Sequence, residues 1–197
     1  MKVSTILRVL RFDNAQSRQH HRSPDKLQPI REVFETLDSN LRDSYTCGPS
    51  MTVDEQLVCF GGRCPFKQYI PSKPGKYGIK IWTICDFTCY YAWKMQVYTG
   101  KDPGSARETN QGTRVVLDVV EDIENSGRNI TCDNFFTNLS LARKLLQKKL
   151  TLVGTMRKNN PELPMEFTVA KGRNVKSTVF DFQQDAIIAS HCPKKTV

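Results

Sequence analysis

Two aspartates stand where runs of β-forming residues stop: Asp86 closes IKIWTICD and Asp133 closes NITCD. A right-handed crossover through the apolar stretch around residues 115–123 would make these strands parallel and bring both tips to one edge of a sheet. Carboxylates placed that close raise each other's pKa unless a cation neutralises them. Hard oxygen ligands suit Mg2+ or Mn2+. Two such ions about 3.5–4 Å apart could activate a water or a 3′-hydroxyl and stabilise the leaving oxygen of a phosphodiester. An aspartate at a strand end is also an ordinary turn or helix-cap residue, and spacing alone does not separate the two readings.

The elements that would position these groups follow from periodicity. After Asp86 the FTCY turn leads into YAWKMQVY, whose alternation completes a β-hairpin. Val115, Val116, Val119, Val120 and Ile123 form a helical stripe that stops near Gly127. The strand NITCD follows, then a helix marked by Leu141, Ala142, Leu145 and Leu146, with Asn138 or Ser140 as its N-cap, then the strand TLVGTMR. The order strand, strand, helix, strand, helix, strand indicates an α/β fold. Upstream, Val3, Ile6, Leu7 and Leu10 suggest one short helix, and Ile30, Val33, Phe34, Leu37 and Leu41 suggest another after Pro29. Residues 46–76 are dense in glycine and proline and read as extended chain and turns, while the segment beyond Asn160 reads as short alternating strands.

Charge narrows the partner class. The 197 residues carry a formal charge of +9, distributed as +5 over residues 1–31, −3 over 32–137 and +7 over 138–197. Basic flanks of this kind suit a polyanion, since Lys and Arg gain affinity by releasing counterions from phosphates. Lys73, Lys76 and Lys80, near Tyr69 and Tyr77, could track a DNA backbone, as could Arg157 and Lys158 at the end of an expected strand. Arg143, Lys144, Lys148 and Lys149 lie opposite the apolar stripe of their helix and read first as a solvated face. No run approaches the roughly 20 apolar residues of a membrane-spanning helix, so no membrane partner is expected. The absence of a GxxxxGK[ST] loop argues against a nucleotide cofactor. The seven cysteines have no matched pairs with metal-ligand spacing and read as packed thiols.

Several long words, TVDEQLVCFGGRCPFKQYIPSKPGKYGIKIW, CD, YTGK, NITCDNFFTNLSLARKLL and LTLVGTMRKN, occur in one order along the chain. Together they resemble the transposases of the piggyBac superfamily and the host proteins derived from them, from RFDN to the PKK near the C-terminus. The resemblance implies an incomplete ribonuclease-H-like mixed sheet with flanking helices over residues 77–159. It implies a partial dimerisation and DNA-binding lobe over 1–76 and the start of a β-rich insertion over 160–197. It implies DNA as partner, a homodimer, a nuclear site of action, and cut-and-paste chemistry by three aspartates with Mg2+ or Mn2+. By motif, Asp86 matches the first catalytic and metal-binding aspartate and Asp133 the second. The third belongs to a Gly-Gly-Val-Asp segment that is not found in this sequence, and Gly62 replaces an arginine usual in the family's FRGR word. A metal site short of one carboxylate binds cations weakly. The expectation is therefore a chain that binds DNA without catalysing its cleavage alone; the alternative is an active transposase or nuclease completed in trans or by a longer isoform.

Overall fold

The computed structural model describes residues 10, 12, 25–101, 104, 108–169 and 172–193, which form two compact units, 1–109 and 110–197. The helix expected from Val3 onward lies outside the described residues, apart from Leu10 at its end.

In the first unit a 3-10 turn, Gln28–Ile30, opens with Pro29 at an N-terminal position and runs into α1, Arg31–Ser44. Asp25 anchors this entry, accepting from the Leu27 N–H at 3.0 Å and from the Arg31 guanidinium. Of the apolar positions that suggest the helix, Val33 and Leu37 remain exposed. Polar ties orient the helix instead: the Met95 N–H donates to Asp38 Oδ1 at 2.7 Å, and Tyr91 Oη donates to the Leu41 carbonyl at 3.0 Å.

The extended chain expected over residues 46–76 contains a ten-residue strand, β1, Ser50–Cys59. It pairs antiparallel with β3, Tyr77–Asp86, from Met51↔Asp86 to Cys59↔Gly78. The long ladder places the TVDEQLVC word and the IKIWTICD word in one sheet, so residues on either side of position 76 share hydrogen bonds. Two further strands, the short β2, Gln68–Tyr69, and β4, Ala92–Val97, pair with β3 antiparallel. The β3–β4 hairpin is the one the alternation of YAWKMQVY predicts. Because side chains alternate between faces, Met51, Val53, Trp82 and Ile84 point to one side, where all four are buried. Thr52, Asp54, Thr83 and Cys85 point to the other.

The second unit is built on α2, Gln111–Val120, continued by a 3-10 turn, Glu121–Ile123, then β5, Asn129–Cys132, α3, Leu139–Gln147, and β6, Thr151–Gly154. β5 and β6 pair in parallel, Asn129↔Thr151 through Cys132↔Gly154, as a strand–helix–strand unit requires. The apolar stripe of α2 is fully buried at Val115, Val116 and Val120, together with Ile130, Phe136, Leu141 and Leu145. Of the two N-cap candidates for α3 it is Asn138 that serves, its side chain accepting from the Leu141 N–H at 2.8 Å. Gly112 lets α2 approach closely: a Cβ there would lie 2.7 Å from the Phe135 carbonyl oxygen. The strand expected over TLVGTMR stops at Gly154 because its ladder partner β5 ends at Cys132. Arg157 and Lys158 therefore lie in the following loop.

The segment beyond residue 160 holds a single-turn helix, α4, Met165–Thr168, and the antiparallel hairpin of β7, Ser177–Phe182, and β8, Ile187–Cys192. Among the described residues no helix is long and apolar enough to cross a membrane.

Candidate functional site

Asp86 is the last residue of β3 and only 2% exposed. Registered opposite Met51, it belongs to the buried face of the sheet. Its Oδ2 accepts from the Gly48 N–H at 2.7 Å, and its Oδ1 accepts from the N–H groups of Thr88 at 2.8 Å and Cys89 at 3.2 Å. These amides, Gly48 first and Thr88 next, hold its pKa down to about 2 against the opposing effect of burial. They stabilise the ionised form as a cation would. The carboxylate helps to close the turn to β4, where the Tyr90 N–H also donates to the Asp86 carbonyl at 3.0 Å. Backbone N–H groups engage both oxygens, two at Oδ1 and one at Oδ2, which leaves Oδ2 a second lone pair.

The sequence reading passed over a further carboxylate in the same unit. Asp54 lies in the middle of β1, exposed, on the face opposite Asp86. Its Oδ1 accepts from the Glu55 N–H at 2.7 Å. Desolvation, seconded by the negative charge of Glu55, raises its pKa above the ordinary aspartate value despite the lowering effects of the Glu55 amide and Lys73. Its registered partner across the ladder is Thr83, a residue 7% exposed whose hydroxyl has no hydrogen-bond partner. An ionisable group with a raised pKa beside an orphaned hydroxyl is a feature of functional surfaces rather than of packing. The legible signal was the aspartate itself, since Asp is depleted in strand interiors and this one interrupts the β-forming run of TVDEQLVC.

Asp133 follows β5 directly and is exposed. Its Oδ1 accepts from the Phe135 N–H at 2.8 Å, and its carbonyl oxygen accepts from the Thr137 N–H and hydroxyl at 3.1 and 2.8 Å. The backbone bonds fix the turn and leave the carboxylate facing solvent, in contrast to Asp86. Beside this turn the Arg157 Nε donates to Asn134 Oδ1 at 3.3 Å, and the Arg157 guanidinium lies 5.7 Å from the centre of the Phe135 ring. Lys158 is exposed next to it.

The lysines expected to track DNA differ in their freedom. Lys73 Nζ is paired with Glu55 at 3.1 Å. Lys80 lies 5.0 Å from the Trp82 ring centre and 5.6 Å from that of Tyr98. Lys76 is exposed in a left-handed turn conformation at φ 48°, and the nearby Tyr69 and Tyr77 rings pack against each other at 4.6 Å. On α3, Arg143 is bonded to Asp185 at 2.8 Å and Lys148 is paired with Glu124, so those two cations are neutralised within the fold.

A divalent cation held by this family-type chemistry needs several convergent hard ligands. Among the described residues no three His, Cys, Asp or Glu side chains gather to hold a metal ion. No chemical step through a metal is derived from the carboxylates of either unit taken by itself.

Comparison with known proteins places this geometry. The chain is 31% identical over 196 residues to the human PiggyBac transposable element-derived protein 3, a match covering 93% of this chain and 32% of that protein. The human Chimeric ERCC6-PGBD3 protein matches at the same identity, with 18% of its length covered. Among solved structures, a piggyBac transposase synaptic complex with hairpin DNA is similar with a TM-score of 0.88 at 38% identity, over 97% of this chain and 40% of that one. The chain thus spans about a third of the length of the first curated relative. The family model described as Transposase IS4 matches residues 4–197, and on that match the chain belongs to the Transposase IS4 family, in its piggyBac branch.

Proposed function

We propose that the chain is a DNA-binding unit of a piggyBac-derived protein, acting on double-stranded DNA in the nucleus and without strand cleavage of its own. The observation that carries this reading is the exposed cationic group beside Asp133. Arg157 is pinned by Asn134 and Phe135 at one end of the Asp133 turn, with Lys158 next to it. A guanidinium held in place by neutral partners keeps its charge available to a phosphate and has already lost part of its conformational freedom. Support also comes from the solved relative, which is a complex with hairpin DNA.

The carboxylates enter the proposal with separate roles. Asp133, exposed with one oxygen bonded to a neighbouring amide, and Asp86, whose Oδ2 accepts a single amide, are the groups assigned to a divalent cation, Mg2+ or Mn2+, and Asp54 is a further exposed carboxylate. Asp86 also anchors a turn. A homodimer belongs to the same proposal on family grounds alone.

The test is incubation of the whole chain with labelled duplex DNA in Mg2+ or Mn2+, with binding read by anisotropy and cleavage on a denaturing gel. Binding without cleavage is the expected result. Cleavage that disappears in Asp133→Asn and Asp86→Asn would replace this reading with that of an active transposase.

A further inference from the structure

The second unit contains a groove of about 390 Å³, of whose lining the duplex-binding proposal uses only Arg157 and the two residues that pin it. Its walls are the Asp133 turn, the N-terminal ends of α2 and α3, and the loop after β6, all within residues 110–162. The lining is unusual in composition: amide and hydroxyl side chains, one aromatic ring, Phe135, and two cations, Lys144 and Arg157. Its single acidic residue, Glu162, is tied down, its Oε2 accepting from the Leu139 N–H at 2.9 Å. The volume falls in the range of about 300–1,000 Å³ typical of small-ligand sites. It is far too small for a duplex and matches one nucleotide.

The chemistry is also that of a nucleotide. Phe135 is half-buried, braced edge-on by Phe136 with ring centres 4.9 Å apart, and the Arg157 guanidinium lies over the Phe135 ring, 5.7 Å from its centre. An aromatic ring with a guanidinium beside it offers two flat surfaces on which any base can stack. Asn159, exposed on the lining, presents an amide that can pair with a base edge as donor and acceptor together, and Asn134, whose Oδ1 accepts from Arg157, offers its NH2 group as a donor. Lys144, exposed on the same wall, supplies a point charge for the attached phosphate.

We infer that this groove receives a single unstacked nucleotide of a DNA strand, its base on the Phe135–Arg157 platform, its edge on Asn134 and Asn159, and its phosphate on Lys144. The inference rests on the proposal that the chain binds DNA and specifies what one part of it holds.

The experiment is photocrosslinking of the full chain to a single-stranded DNA oligonucleotide carrying 5-iodouracil, with the attachment mapped by mass spectrometry, alongside affinities for that oligonucleotide and for a blunt duplex. The expected crosslink lies on Phe135. Phe135→Leu should lower single-strand affinity by about tenfold, the scale of losing one base–aromatic stack. Asn159→Ala, on an exposed loop residue that cannot compromise the core, should weaken single-strand binding by about threefold through one lost hydrogen-bonding group. A crosslink elsewhere, or wild-type single-strand affinity in both variants, overturns the inference. A wild-type chain that binds duplex but not the oligonucleotide also overturns it, while leaving the DNA-binding proposal intact; failure to bind either DNA defeats both.

Discussion

Replacing Asp86 by Asn separates a turn anchor from a cation ligand. In the wild-type fold the ionised carboxylate accepts three amide hydrogen bonds, two of them at 2.7 and 2.8 Å, and carries a pKa of about 2. An asparagine of the same shape keeps one good acceptor and turns an NH2 group toward amides that also donate, so at least one buried N–H loses its partner. At neutral pH the melting temperature should fall by about 2–4 °C, the shift that loss of about one net hydrogen bond produces in a chain of this size. The pH dependence follows from linkage. A group whose folded pKa is depressed contributes its stability above the unfolded value, near 4, and that contribution is lost as pH falls toward the folded value. The difference between wild type and Asp86→Asn should therefore be constant from pH 7 to about 5, shrink between about 4 and 2, and vanish below. Thermal melts followed by circular dichroism at each pH supply the curve. An Asn variant as stable as wild type at pH 7, or a difference that grows as pH falls, would refute the reasoning; a large gain in wild-type stability from millimolar Mg2+, lost in the variant, would show Asp86 to be a cation ligand as well.

Phe136→Ala removes a fully buried ring from the second unit and should cost about 3–5 kcal/mol in urea unfolding, the range for phenylalanine truncation in a close-packed core; a cost under about 1 kcal/mol would mean that the Asp133 turn is not packed as described. For duplex DNA, Lys76→Ala should reduce the slope of log affinity against log salt by about 0.9, the value for one phosphate contact. Lys73→Ala should change it less, because Lys73 is already paired with Glu55, and the reverse order would reassign the contact.

The α/β order of the second unit was legible because each element there obeys a single period and has local start and stop signals. The valine stripe of α2 is buried as its spacing requires, and Asn138 caps α3. The β3–β4 hairpin was legible from alternation for the same reason. The length of β1 is not legible in the sequence: its run is broken by Asp54, Glu55 and Gln56, and pairing along the whole of β3 supplies stability that its side chains do not advertise. This hid Asp54, since an aspartate in a presumed turn attracts no attention. Asp86 shows a different limit. Its position after an apolar strand is shared by catalytic and turn-forming aspartates, and the three amides that hold it, one contributed by Gly48, 38 positions away in sequence, leave no local signature. The outward-facing Val33 and Leu37 of α1 show a further limit: the hydrogen bond from Met95 to Asp38 orients that helix, and a tie of this kind carries no periodic signature.

The central claim is that the chain binds DNA through phosphate contacts that include Arg157. It is tested most directly by the affinity of the whole chain for one duplex, measured by fluorescence anisotropy across a series of salt concentrations, in wild type and in Arg157→Ala. The account predicts affinity that falls linearly on logarithmic axes, with a slope shallower by about 0.9 in the variant. No measurable binding, or binding indifferent to salt and to Arg157, would contradict it.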